Sequence, residues 1–219
     1  MFAWLQLRPG FPRAGELIGA PVRLSPSPLA HYPANKQAAE YFKEAEKRGL
    51  ECDINGSNEY YSKVLVLDPK NSSAYEARGR ARLIMRQFPK AKDDFDKSIS
   101  IDTTDYLSYW GRGTARQHLK DRQGALQDFN AAIRLCHTDQ SLYYSRSRVR
   151  FELGDQLGAI ADANKVVTLD PKNGWAYYSR SRLRAEMGDR VGAINDFRKA
   201  SSLDSRFGKT GIPRYIPER

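Results

Sequence analysis

The sequence predicts an all-α protein built from repeated helical hairpins, and three observations support that prediction. The five residues Leu67–Asn71 return with the same letters as Leu169–Asn173, 102 residues later, which is three times 34. An apolar residue also recurs every 34 positions, and the segments between these positions alternate helical periodicity with turn residues. A fixed period of this length is typical of stacked supersecondary units. The recurring residues are Leu67, Ile101, Leu135, Leu169 and Leu203.

Placing the proline of Leu-Asp-Pro at position 32 divides most of the chain into units of 34 residues. In the fourth unit, Leu142, Arg146 and Val149 follow the helical period, Gly154 breaks it, and Pro171 ends a second helical stretch. Each unit therefore predicts a helix, a turn and a helix. The predicted domains are a proline-rich basic arm at 1–37, five helical repeats at 38–71, 72–105, 106–139, 140–173 and 174–207, and an irregular tail at 208–219.

Certain columns of the repeats hold residue types that suit close helix packing. Position 4 is always Tyr, position 8 is always small, position 20 is Ala or Ser, and position 24 is aromatic in four repeats. Small residues at 8 and 20 let two helix backbones approach closely. Position 4 holds Tyr41, Tyr75, Tyr109, Tyr143 and Tyr177, position 8 holds Ala45, Gly79, Gly113, Ser147 and Ser181, position 20 holds Ser57, Ala91, Ala125, Ala159 and Ala193, and position 24 holds Tyr61, Phe95, Phe129, Ala163 and Phe197.

These columns resemble the tetratricopeptide repeat, with its aromatic residues at 4 and 24, small residue at 8, Ala at 20 and Pro at 32. The resemblance covers roughly residues 38–207. It implies a tetratricopeptide-repeat solenoid, a right-handed superhelix of about five hairpins. It also implies that positions 2, 5, 6, 9, 12 and 13 of each first helix line a concave groove for a partner segment.

Residues 1–37 do not follow the repeat pattern, because they hold six prolines and four basic residues against one acid, Glu16. So many prolines exclude a long helix. The arm is interpreted either as an organelle-targeting extension or as a disordered segment that docks on the repeats. The expected location is the cytoplasm, with organelle import as the alternative. No run approaches the roughly 18 apolar residues that a membrane helix needs.

The two ends of the repeat array differ in charge, within a chain whose formal charge is +10. Repeat one has five basic and seven acidic residues, a net −2, whereas repeat five has seven basic and four acidic residues, a net +3. Such a gradient can orient a charged partner. After Asp204 the sequence predicts no further long helix, so the last helix, near Val191 to Leu203, is expected to expose an apolar edge available for self-association.

Position 7 is Arg and position 23 is Asp in the same four repeats, and the first repeat lacks both. This co-occurrence predicts an ion pair between the two helices of each of those repeats. Position 11 is Arg in every repeat, and we expect its stem to pack along the core while its charge reaches solvent. The predicted pairs are Arg78 with Asp94, Arg112 with Asp128, Arg146 with Asp162, and Arg180 with Asp196.

Positions implied by the resemblance to line the groove carry aromatic and Arg residues in repeats three to five. These residue types contribute most of the energy at many binding sites. The aromatics are therefore interpreted either as anchors for a partner or as packing between adjacent first helices. The hypothesised partner-binding residues are Trp110, Tyr144, Arg148, Trp175, Tyr178 and Arg182.

One branch of the family clamps acidic chaperone tails with Asn, Lys and Arg residues at groove positions. One of these residues is an Asn at position 6. Here position 6 has no Asn in any repeat, so recognition of that type is not expected. The position-6 residues are Lys43, Ala77, Gly111, Ser145 and Ser179.

No catalytic constellation is present, since His31, His118 and His137 are scattered without metal-ligand spacing or a nucleophile. We expect no enzyme, no metal and no cofactor. The leading hypothesis is a non-catalytic adaptor, scaffold or assembly factor that binds a segment of another protein, an acidic one being favoured. RNA binding or membership of a ribonucleoprotein is the alternative, because arginines lie beside aromatics. A self-associating structural subunit is the third hypothesis.

Overall fold

The computed structural model describes residues 33–208, which form helices and turns but no strand. Most of the predicted arm and nearly all of the predicted tail lie outside these residues. The described residues divide into two compact units, 33–119 and 120–208. The first unit contains α1 (Lys36–Leu50), α2 (Ile54–Leu67), α3 (Ser72–Ile84), α4 (Phe88–Ile101) and α5 (Tyr106–His118). The second contains α6 (Arg122–Leu135), α7 (Gln140–Glu152), α8 (Gln156–Leu169), α9 (Gly174–Glu186), α10 (Arg190–Leu203) and α11 (Ser205–Gly208).

The first helix of each repeat begins after a capping side chain. Asn71 Oδ1 accepts a hydrogen bond from the Ala74 backbone nitrogen at 2.8 Å, which satisfies a donor that the helix itself leaves unpaired. Asp105, Asp139 and Asn173 cap α5, α7 and α9 in the same way. These four caps occupy position 34 of the preceding repeat. The helix α1 begins at Lys36, two residues before the predicted first repeat, because Asn35 supplies its cap.

The second helix of most repeats begins with an Asp cap and a glycine three residues later. Asp155 Oδ1 accepts a hydrogen bond from the Gly158 nitrogen at 2.8 Å. A Cβ atom on Gly158 would collide with the same carboxyl group, so a larger residue there would displace the capping side chain. The helix α4 differs, because Gln87 makes no side-chain cap and Pro89 occupies its first turn.

Large rings facing small residues form the core of the first unit. The Phe95 ring is fully buried against Gly79 and Gly111, and a Cβ atom on either glycine would press into that ring. Phe42 and Tyr61 meet edge to face with centroids 5.3 Å apart. In the second unit, Tyr143 and Phe197 belong to the corresponding buried clusters. The small columns therefore make room for the aromatic columns, as the sequence pattern predicts.

The helix α11 follows α10, although the sequence predicts an open apolar edge there. Phe207 of α11 packs beside the buried cluster of Ala193 and Phe197, so part of that edge is covered. Val191, at the other end of α10, remains 72% exposed.

Position 15, in the turn of every hairpin, adopts a left-handed backbone. Glycine occupies it at Gly154 and Gly188, with φ of 86° and 82°. Three other residues take the same conformation, namely Cys52 with φ of 64°, Arg86 with 59° and Lys120 with 71°. A side chain in this region crowds its own backbone, so these three turns store strain.

Replacing Arg86 with glycine should stabilise the first unit by roughly 0.5 to 1 kcal/mol, because it removes this strain at some cost in chain entropy. The reverse change, Gly154→Ala, should destabilise by about 1 kcal/mol. It is a clean control because a Cβ atom there meets nothing within 4 Å. Urea unfolding followed by circular dichroism measures both changes, and an Arg86→Gly variant no more stable than the parent would contradict the strain.

Candidate functional site

A buried carboxylate at position 23 joins the two helices of a hairpin. Asp162, on α8, accepts hydrogen bonds from Arg146 Nη2 at 2.7 Å and Arg146 Nε at 2.9 Å, which is a two-point contact with the guanidinium fork. Its side chain is only 4% exposed. Arg180 and Asp196 make the same contact at 2.6 and 2.8 Å, and Arg78 and Asp94 make it at 2.7 and 3.0 Å.

The expectation that position-11 arginines direct their charge to solvent is wrong in three repeats. Arg150 Nη1 lies 3.0 Å from Asp162 Oδ2 and also donates to the Gly158 carbonyl oxygen at 3.2 Å. Arg82 and Arg184 contact their own position-23 carboxylates at 2.7 and 2.9 Å. The physical reason is that a carboxylate offers about four acceptor sites, of which the first Arg fork uses two. An Arg one helical turn later reaches those that remain.

The position-7 arginines also connect neighbouring repeats, a contact that the sequence columns did not predict. Arg146 Nη1 donates to Asn130 Oδ1 at 2.9 Å, and Arg180 Nη1 donates to Asn164 Oδ1 at 2.9 Å. The acceptor is always the residue at position 25 of the preceding repeat. The sequence feature that could have predicted these contacts is the polar residue at position 25 in every repeat. The remaining contacts are Arg78 with Ser62 at 3.2 Å and Arg112 with Asp96 at 2.8 Å. Position 25 of the last repeat is instead Arg198, which is exposed.

Two predicted members of the ion-pair column, Arg112 and Asp128, belong to different compact units. Arg112 lies on α5 in the first unit, where it contacts Asp96. Asp128 lies on α6 in the second unit and is buried. Repeat one, which lacks both column residues, pairs Arg48 with Glu44 at 3.0 Å and with Asp53 at 2.9 Å.

Changing Asp162 to Asn should destabilise the second unit by roughly 2 to 4 kcal/mol, because two mostly buried guanidinium groups then lose their counter-charge. Removing the exposed acid of the pair Arg182–Glu186, which is 3.9 Å apart, should cost under about 0.5 kcal/mol. Equal unfolding midpoints in urea for Asp162→Asn and Glu186→Gln would refute the importance assigned to the buried carboxylate.

Three of the hypothesised binding residues form one group of rings, called here the aromatic face: Tyr144 of α7 with Trp175 and Tyr178 of α9. The Trp175 and Tyr178 rings are 5.4 Å apart at an interplanar angle of 30°, and the Tyr144 and Trp175 rings are 6.4 Å apart. All three side chains are partly exposed. Burial raises the pKa of the Tyr178 hydroxyl, while nearby Arg182 opposes that shift.

The charged residues of the hypothesised site follow the rings by one helical turn. Arg148 is exposed and forms no ion pair within residues 33–208, whereas the Arg182 side chain is 23% exposed and lies near Glu186. Trp110 lies on α5 in the first unit and is partly exposed. The helices α7 and α9 therefore carry five of the six hypothesised residues.

Comparison with known proteins identifies the repeat. The family model described as tetratricopeptide repeat matches residues 140–173, the fourth repeat. The chain folds as a tetratricopeptide-repeat array. No sequence among the curated proteins matches it.

Solved structures of tetratricopeptide-repeat proteins share this fold. A crystal structure of MamA is 25% identical, covering 74% of this chain and 95% of that chain with a TM-score of 0.66. The structure named MamA 41-end from Desulfovibrio magneticus RS-1 is 16% identical, covering 79% and 98% with a TM-score of 0.72. The structure of YrrB, described as a TPR protein with an unusual peptide-binding site, is 21% identical, covering 77% and 87% with a TM-score of 0.62.

In repeat two of the tetratricopeptide-repeat array, the groove positions 5 and 9 hold Glu76 and Arg80, which form a mostly buried pair. In repeats four and five the same positions carry Tyr and Arg. Glu76, at position 5, is 1% exposed, and its Oε1 lies 2.6 Å from Arg80 Nε without the alignment of a hydrogen bond. Burial raises the pKa of Glu76 to about 7, although Arg80 opposes the shift. This part of the first unit therefore differs chemically from the aromatic face.

The raised pKa of Glu76 predicts a pH-dependent stability. The folded protein holds this proton more tightly than the unfolded chain, whose Glu titrates near 4.5. The contribution of Glu76 to the free energy of unfolding is therefore fully present below about pH 4.5 and is lost as the pH rises to about 7. At about 1.4 kcal/mol per pKa unit, the loss amounts to up to about 3 kcal/mol. The variant Glu76→Gln should lack this dependence, and exposed Glu59→Gln should keep it. Parallel stability curves for the parent and Glu76→Gln between pH 4.5 and 7 would exclude a raised pKa.

No cluster of potential metal ligands occurs within residues 33–208. Of the helices in that range, none has both the length and the apolar character needed to cross a membrane.

Proposed function

We propose that this protein is a non-catalytic interaction scaffold that holds a segment of another protein on the aromatic face. The observation that carries the proposal is the row of partly exposed rings from Tyr144 to Tyr178, with the exposed guanidinium of Arg148 one turn along α7. Tetratricopeptide arrays are generally interaction modules rather than enzymes. The peptide-binding site in the description of YrrB is consistent with this proposal.

The chemistry of the aromatic face favours a partner with apolar and acidic groups. Trp and Tyr rings offer a large contact area at a small cost in conformational entropy, and with Arg they dominate many interfaces. Arg148 has no acid of its own within the described residues, so a partner carboxylate gains a charge-assisted hydrogen bond there. The partner is therefore an extended segment or helix that presents an apolar side chain close to an acidic one.

RNA remains the second candidate, favoured by exposed Arg198 and Lys199 in the same unit as the rings. RNA binding is the weaker candidate because other arginines of this unit are already paired. Arg146, Arg150, Arg180 and Arg184 already bind carboxylates, which leaves less positive charge for phosphates. Nucleic-acid affinity depends steeply on salt because counterions are released, whereas anchoring by rings does not.

A displayed random-peptide library selected on the full-length chain, followed by affinity measurement, tests the scaffold proposal. Arg148→Glu should weaken the selected peptides by about tenfold or more, since a good charge contact is worth about 1.4 kcal/mol. The matched control Arg198→Glu, an exposed arginine on α10, should leave affinity within about twofold. If both variants bind equally well, or if a labelled oligouridine binds and is released steeply by salt while no peptide is selected, the scaffold proposal fails.

A further inference from the structure

The repeat pattern ends at Phe207. Position 34 of the four earlier repeats is Asn71, Asp105, Asp139 or Asn173, and each caps the helix that follows it. Phe207 has no side-chain oxygen to do this, and it lies within α11 (Ser205–Gly208). An aromatic residue therefore occupies the capping position of the last repeat.

The Phe207 ring continues the aromatic face. Its centroid is 4.8 Å from that of Tyr178 at an angle of 20°, and 6.3 Å from that of Trp175 at 30°. Both centroid separations lie in the range that is favourable for aromatic pairs. The ring thus covers part of the surface to which the proposed function assigns the partner.

We propose that Phe207 is an internal occupant of the partner site, and that an aromatic side chain of the partner takes its place. The inference rests on the proposed function and specifies both the chemistry of the partner and the way the site is regulated. With α11 docked the face is closed at Tyr178, and with α11 released it is open. Binding therefore selects the released state.

The docking of α11 is weak enough to be displaced. The described part of α11, Ser205–Gly208, is one helical turn, and a single turn depends on tertiary contacts to remain folded. The Phe207 nitrogen donates to the Asp204 carbonyl oxygen at 3.1 Å, which is a local bond within the turn between α10 and α11. The Arg206 guanidinium pairs only locally, with Asp204, and is 84% exposed. Within the described part of α11, the Phe207 ring is the side chain that contacts the aromatic face, at Trp175 and Tyr178.

The site keeps an unused donor that Phe207 does not satisfy. The indole Nε1 of Trp175 is buried and has no hydrogen-bond acceptor within residues 33–208. A partner that brings a carboxylate or carbonyl oxygen beside its ring can accept that hydrogen bond. Arg148 and the net charge of +3 in repeat five also favour an acid. The partner segment therefore carries an aromatic residue flanked by acidic residues, and its acceptor gives it an advantage over Phe207.

The probe for this inference is a fluorescein-labelled peptide, Glu-Asp-Phe-Asp-Glu, with blocked ends and titrated against the full-length chain by anisotropy. Phe207→Ala should bind it about tenfold more tightly than the parent, because the released state is then fully populated. Arg206→Ala, which changes α11 but keeps the ring, should bind like the parent. Replacing Phe with Ala in the peptide, or adding Trp175→Ala to the Phe207→Ala protein, should abolish binding.

Equal affinity of parent and Phe207→Ala, or weaker binding by Phe207→Ala with unchanged helicity, would overturn the inference. If Phe207→Ala loses helicity, Phe207→Leu takes its place, with the same two outcomes decisive. Sedimentation showing that Phe207→Ala dimerises would instead assign the open face to a second copy of the chain and overturn the partner assignment. Library peptides sensitive to Arg148→Glu but indifferent to Phe207 would leave the proposed function standing while this inference falls.

Discussion

The hairpins of this protein depend on a buried carboxylate that binds two guanidinium groups. Removing such charges from water is costly, so the pairing adds less to net stability than its short distances suggest. Its larger effect is on geometry. Asp162 aligns two turns of α7 against α8, and the remaining nitrogen of Arg146 reaches back to Asn130. The Arg146 side chain thus contacts both the second helix of its own hairpin and the preceding repeat.

This constraint also determines which arginines remain for function. Positions 7 and 11 face inward towards the acid, whereas position 9, two residues from each, lies about 200° around the helix. Arg146 and Arg148 therefore have opposite roles although they are near neighbours in sequence: the first is used within the fold and the second is exposed. The same geometry places Tyr144, one turn before Arg148, on the outward side.

The fold could be predicted from the sequence because repetition tests every position several times. Tyr143 or Asp162 alone signifies little, but an aromatic or an Asp returning every 34 residues must occupy equivalent places. Contacts shared by several partners were harder to predict. The second arginine on each Asp and the acceptor at position 25 depend on side-chain reach, which spacing alone does not specify. Phe207 and Glu76 were missed for another reason, since each departs from its column and only the structure shows what surrounds it.

The column at position 25 has a consequence for lengthening the array by protein engineering. Inside the array this position accepts a hydrogen bond from the next Arg, but in the last repeat it is Arg198. A consensus unit grafted after residue 207 would bring its own arginine against a like charge and would start without a cap. Such a fusion needs Asn at 198 and Asp or Asn at 207 before the added unit can join the same cooperative structure.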